Sequence, residues 1–328
     1  VAGVLATLLA AAVAMAATPE GPRLAVLEVS EDWSRIELAT VNRSGARPVP
    51  VVPGGPDARP IPYPSSPISW RPGGGQVAFS GFTINGRGRE RLWIFLVRAD
   101  GRGLRRVPGT AEAWGPVFSP DGHTIAFTRV LADERVGFLR AAVWTLDLRT
   151  GEARRLTPWR DGLNYYASSF SPDGSTLLAT RYDDQLGEEP ELFALHLDDG
   201  GLTPLAVEGV FATYSPDGSR IALLREADDS RGGVDLYVLD VANGALRRLT
   251  YTPRSEHFVS WDPSGERIAY GLSPRAGPGV KGGGPGNEII QINADGTCQM
   301  KLLSSPHTDF FAPAWQPGSG REAGRIMC

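Results

Sequence analysis

Cysteine is almost absent: the 328 residues contain two, Cys298 and Cys328. A C-x-x-C redox or metal motif is therefore excluded. Histidine is nearly as scarce, with His123, His196, His257 and His307 only, and no H-E-x-x-H occurs. G-x-S-x-G and the P-loop pattern are missing too. Positive charge is not in excess, because the formal net charge is −4. Nothing resembles the basic face that a phosphate backbone requires, so nucleic acid is not an expected partner. After residue 18 no apolar period of 3.6 residues is sustained, which argues against a helical domain.

One long apolar stretch does exist. Residues 1–17, "VAGVLATLLAAAVAMAA", carry no charge. The run is slightly short for a membrane span, and Ala14-Met15-Ala16 fits the A-x-A pattern of a cleaved secretory signal. The expectation is an exported chain, periplasmic, extracellular or cell-wall associated, with retention as an N-terminal anchor the alternative. No membrane span is expected in the mature chain. No cysteine follows the run, so a lipobox attachment has no acceptor. An even cysteine count in an exported chain suggests a disulfide.

What the chain has in abundance is turn residues, with 40 glycines and 27 prolines spread between short apolar runs. The runs repeat. "WRPGGGQVAF" starts at Trp70, "FSPDGHTIAF" at Phe118, "FSPDGSTLLA" at Phe170, "YSPDGSRIAL" at Tyr214, "WDPSGERIAY" at Trp261 and "WQPGSGREAG" at Trp315. Spacings of 44 to 54 residues are those of propeller blades. Each unit adds a third run ending in an Asp/Asn-Gly type pair, such as "LYVLDVANG", and a fourth such as "RRLTY". Such pairs are hairpin signals, and the alternation and β-branched content are those of strands. Each unit is thus a four-stranded antiparallel meander, with strands A to D. The first unit lacks strand A, and the last has little else. The predicted fold is all-β: one six-bladed β-propeller over residues 18–328, its ring closed when the C-terminal strand joins the N-terminal blade. Closure removes exposed sheet edges.

The aromatic-SPDG-IAF-LYVLD-RRLT pattern resembles the TolB-type propeller repeat, a WD-repeat-like family, over nearly the whole chain from about residue 20. TolB carries an α/β domain ahead of its propeller; here the signal-like segment and the closing strands precede the blades. The resemblance implies a protein-binding role in the cell envelope. In this frame Cys298 starts strand D of blade 5 and Cys328 follows the closing strand, in neighbouring blades. A Cys298–Cys328 disulfide would close a loop of about 30 residues and contribute roughly 3.6 kcal/mol.

SPDG itself reads as a turn. Pro120 presets φ, Gly122 takes the positive φ, and Asp121 bonds nearby backbone. The copies that lose the aspartate argue against a catalytic carboxylate. Function is expected on the opposite face, where D–A and B–C loops surround the channel mouth. Those loops supply the candidate ligand or partner residues Trp159, Arg160, Asp161, Tyr165, Tyr166, Arg254, Glu256, His257, His307, Asp309 and Phe310. Aromatic groups with a few charges suit capture in a concave mouth. No catalytic residue, metal site or cofactor is assigned. "GPGVKG" (Gly277–Gly282) lacks the flanking strand and helix of a dinucleotide site. The expected function is a monomeric binding or scaffold propeller with a protein, peptide or glycan partner. The alternative is a lyase or hydrolase working from the channel mouth, whose groups would come from separate blades and leave no local motif.

Overall fold

The computed structural model describes residues 23–41, 48–54, 60–84, 86, 88–133, 138–159, 162–183, 189–227, 233–273 and 287–318, excepting the side chains of 132, 133, 138 and 139. It is a ring of six four-stranded antiparallel blades. Blade 2 runs Ala113–Phe118, Thr124–Asp133, Phe138–Asp147 and Ala153–Arg155. Blade 3 runs Leu163–Phe170, Thr176–Asp183, Glu191–His196 and Leu202–Glu208. Blade 4 runs Val210–Tyr214, Arg220–Glu226, Val234–Asp240 and Leu246–Arg248. Blade 5 runs Glu256–Trp261, Arg267–Leu272, Glu288–Asn293 and Met300–Leu303. Blade 6 closes the ring as expected: strand A is Thr308–Trp315, and it pairs antiparallel with Leu24–Ser30, followed by Ile36–Val41 and Val49–Val52.

Blade 1 departs from the repeat. Its strand A is split into Ile61–Pro62 and Ser69–Trp70, both paired with Gln76–Ile84, and Glu90–Arg98 and Arg105–Arg106 complete it. Pro60, Pro62, Pro64 and Pro67 lie in or beside this stretch, and each lacks the N–H that a continuous ladder needs.

The strands A contact one another in a closed cycle around the axis, so they are innermost. The apolar cores lie between blades, one cluster at each of the six seams. Ile94 and Leu96 of blade 1 meet Phe118, Ile125 and Phe127 of blade 2, for example. No blade buries both faces alone, as a repeat architecture requires. Polar bonds add to this. The hydroxyls of Ser69, Ser169 and Ser260 accept from the backbone N–H of Phe118, Tyr214 and Trp315 in the next blade, at 3.0, 3.3 and 3.0 Å. The threonine that ends "RRLT" is structural as well. Thr157 and Thr250 Oγ1 accept from strand C N–H groups of Val143 and Leu236 at 2.9 Å.

The SPDG turns are built as the sequence implies. Ser119 Oγ donates to Asp121 Oδ1 at 2.6 Å, and that oxygen also accepts from the His123 N–H at 2.9 Å. These bonds, Ser119 first, hold the Asp121 carboxyl below its usual range. Gly122 has φ 68°. The motif also joins blades. A Cβ on Gly174 would lie 3.6 Å from Pro120 Cδ, one on Gly218 3.3 Å from Pro172 Cδ, and one on Gly265 3.5 Å from Pro216 Cδ. Each turn's glycine therefore nests on the proline of the preceding blade's turn. In blade 5 Asp262 stands where the three SPDG turns have serine. It accepts from Arg267 N–H at 3.1 Å and pairs with the Arg267 guanidinium at 2.8 Å.

No helix among the described residues is long and apolar enough to cross a membrane. Residues 1–17, the 277–282 glycine run and Cys328 lie outside the described residues.

Candidate functional site

The innermost strands share a second device. Each strand A of blades 2 to 6 carries a β-bulge at the same height. In four of them a residue at the bulge has a left-handed backbone: Gly115 (φ 64°), Phe211 (51°), Phe258 (50°) and Ala312 (48°). A bulge inserts one residue, kinks the strand and re-aims a side chain. For phenylalanine a positive φ is a genuine outlier, of a kind that persists where surrounding structure enforces it.

The result is an aromatic belt at the axis. Tyr182 meets Tyr166 edge-on at 5.4 Å, and Tyr166 meets Trp114 edge-on at 5.8 Å. Trp114 of blade 2 also meets Phe211 of blade 4 at 6.3 Å, so it reaches past the blade between them. Phe211 packs on Phe258 at 4.7 Å, and His257 stands between Phe258 and Phe311 at 5.7 and 5.6 Å. The belt borders a central channel of about 700 Å³, walled by strand A residues of all six blades. Beside the aromatic rings the wall mixes apolar residues such as Pro67, Pro116, Val117 and Pro313 with the hydroxyls of Ser168, Ser169, Thr180, Thr213 and Ser260. Thr180 Oγ1 and Trp315 Nε1 are buried in it without hydrogen-bond partners among the described residues. The described wall contains no carboxylate, imidazole, amine, guanidinium or thiol. Its ionisable groups are the phenols of Tyr166 and Tyr182, and burial pushes Tyr182 up to about 12.

The expected site residues separate. Tyr166 lines the channel, whereas Tyr165 is buried in the core between blades 2 and 3. The bulge at Ser168 explains the division: it inverts the inside–outside alternation of the strand between the anchor Phe170 and the tyrosines. Phe310 is likewise buried, between blades 5 and 6. Glu256, His257, Asp309 and Phe310 lie inside strands A, not in the D–A loops where the sequence placed them, because the bulged strands extend further toward that face. His257 is half-buried. Its Nε2 bonds Asn287 Oδ1 at 3.0 Å, and Asn287 Nδ2 donates to Asp309 at 3.0 Å. Its ring lies over Gly271, where a Cβ would come within 2.1 Å, and burial lowers its pKa. Arg254 pairs with Glu288 at 2.9 Å inside blade 5. His307 is exposed and pairs with Glu31 at 3.0 Å. Trp159 is half-buried, and Arg160 and Asp161 lie outside the described residues. Among the described residues no group of three or more His, Cys, Asp or Glu is arranged to hold a metal ion.

Sequence reasoning misses Trp114, Tyr182, Phe211 and Phe258. All but Tyr182 sit three or four residues before the aromatic anchor of their blade, a narrow window of the repeat that could flag them.

No family profile and no curated protein matches the chain. Solved structures do. TolB from Acinetobacter baumannii is 21% identical, with a TM-score of 0.70 over 90% of this chain and 67% of that one. A TolB structure from Agrobacterium tumefaciens is 18% identical, with a TM-score of 0.57 over 88% of this chain and 91% of that one. A puromycin-hydrolyzing peptidase of Mycobacterium tuberculosis is 14% identical, with a TM-score of 0.50 over 82% of this chain and 42% of that one. At these identities the likeness is one of fold: the six-bladed ring is of the TolB type.

Proposed function

We propose that this chain is an exported binding propeller, without catalysis of its own, that holds a protein or peptide partner at the channel-mouth face. The observation that carries this reading is the channel wall. It offers aromatic rings, apolar side chains and small hydroxyls, the composition of a recognition site. It lacks, among the described residues, the acid, base or nucleophile that a hydrolase or lyase would bring into contact with substrate. The similarity to TolB structures is compatible with partner binding in the envelope, and the apolar segment 1–17 is the support for export. The enzymatic alternative has its own support, since a peptidase shares the fold. That peptidase is more than twice as long as the matched stretch.

The test is capture from the native envelope fraction with wild type and with Trp114→Ala/Tyr166→Ala. Partners recovered by wild type are expected to be lost by the double variant while its far-ultraviolet spectrum stays unchanged. Identical recovery from both would remove the channel from the reading.

A further inference from the structure

The SPDG turn occurs once more, where the repeat does not put it. "SEDWSR" (Ser30–Arg35) joins strands B and C of blade 6, on the face opposite the SPDG turns. Its bonds reproduce theirs. Ser30 N donates to Arg35 O at 2.9 Å and Trp33 N to Ser30 O at 2.8 Å, as Ser119 N does to Thr124 O and Gly122 N to Ser119 O at the same distances. Arg35 N donates to Ser30 Oγ at 3.0 Å, matching Thr124 N to Ser119 Oγ. Asp32 Oδ1 accepts from Ser30 Oγ at 2.7 Å and Ser34 N at 3.1 Å, the role of Asp121. The serine and aspartate scaffold is kept.

The two structural positions are changed. Glu31 stands at the proline position and Trp33 at the glycine position. Trp33 adopts φ 58° where Gly122 adopts 68°. A side chain there is strained relative to glycine, because its Cβ crowds the backbone in the left-handed region. Burial returns only part of what a core tryptophan would gain, because Trp33 is 57% exposed. The indole makes no ring contact or side-chain hydrogen bond among the described residues. A single exposed tryptophan would need no explanation; one held in a strained conformation with most of its indole left in solvent does. Glutamate at the proline position is also used. Its freed N–H donates to His307 O at 3.2 Å, and its carboxylate pairs with His307 Nδ1 at 3.0 Å, tying the turn to the D–A loop.

We propose that Trp33 is a stacking platform for a glycan, with the apolar C–H face of a sugar ring on the indole and its hydroxyls on Glu31, Asp32 and His307. The other residues of this turn, and the one it bonds from the D–A loop, are polar: Ser30, Glu31, Asp32, Ser34, Arg35 and His307. An aromatic face with no ring partner among the described residues, and rimmed by hydrogen-bonding groups, matches the amphipathic faces of a saccharide. A protein knob-in-pocket contact would bring apolar companions to exclude water around the anchor. Asp32, held to about 2 by its serine bonds, accepts hydrogen bonds as a carboxylate throughout the physiological range. The site lies apart from the channel and does not depend on the channel's role.

Two readouts test it. Trp33→Gly is expected to raise the melting temperature by about 2 °C, since the turn keeps its bonds and loses its strain; a fall would remove the premise. Titration with chitotetraose, cellotetraose and maltotetraose, followed by saturation-transfer NMR, is expected to show millimolar binding of at least one. Trp33→Gly should weaken that binding by at least about tenfold and Trp33→Phe by less, with Trp114→Ala leaving it unchanged. No binding of any of the three, binding untouched by Trp33→Gly, or binding lost in Trp114→Ala instead would overturn the proposal.

Discussion

Glu256 shows what a single buried carboxyl does to this protein. It is 3% exposed, and its Oε2 has no hydrogen-bond partner among the described residues. Burial first, and then the neighbouring Asp235 carboxylate, push its pKa up to about 8. Asp235 is engaged by Arg248 and Thr250, and Arg254 by Glu288, so neither arginine is spent on Glu256. The Tyr270 phenol beside it is itself pushed upward by burial. The folded state thus binds this proton more tightly than the unfolded chain, whose carboxyl titrates near 4.5. The associated stability is fully present below pH 4.5 and is lost as pH rises toward 8. Glu256→Gln keeps the shape and removes the titration. Denaturant melts across this range should show the variant level with wild type near pH 4. By pH 8 it should be more stable by on the order of 2–4 kcal/mol. Parallel pH profiles for the two proteins would refute this account of Glu256.

Strands and turns divide sharply in how legible they are. The SPDG turns can be read because proline, glycine and a short carboxylate each have one local reason to be there. The partition of Tyr165 and Tyr166 cannot. It depends on the bulge at Ser168, which is a property of pairing with the neighbouring strand and leaves no trace in local composition. The split strand A of blade 1 is written in its prolines, but the repeat there announces itself only through the anchor Trp70. Trp33 escapes notice because its turn lies out of phase with the repeat. The turns also allow a differential test. Gly151 has φ 76° with nothing within 4 Å of where a Cβ would stand, whereas a Cβ on Gly74 (φ 70°) would lie 2.7 Å from Gln316 Cγ and 2.9 Å from Pro317 O. Gly151→Ala should cost about 1 kcal/mol, from backbone strain alone. Gly74→Ala should cost roughly 2–3 kcal/mol, because the ring seam must also shift. Equal losses in denaturant melts would remove the packing role assigned to the turn.

The whole ring depends on that seam. Gln316 donates to Gly74 O at 2.7 Å and its backbone N–H donates to Arg23 O at 2.8 Å, so one residue holds both sides of the closure. We propose that the Cys298–Cys328 bond reinforces it. Cys298 lies two residues before strand D of blade 5, and no free cysteine occurs among the described residues. Reduction should lower stability by about 3 kcal/mol, and Cys298→Ser should abolish that sensitivity. Two alkylatable thiols in unreduced exported protein would rule the bond out.

The nesting of each turn's glycine on the preceding turn's proline has a consequence for the number of blades. Every blade presents one surface forward and a different one backward, so the ring is a head-to-tail cyclic assembly contained in a single chain. Contacts of this kind close at a count set by the rotation from one copy to the next. Glycine, with only a hydrogen facing the proline, admits the closest approach and the tightest hinge at that rim. Methyl groups at Gly174 and Gly265 would sit in ordinary contact with the neighbouring proline, and at Gly122 and Gly218 a few tenths of an ångström too close, so the rim is already packed to within a methyl group of its limit. The SPDG glycine is in this sense a spacer between blades as well as a turn residue, set at the rim where each copy meets the next.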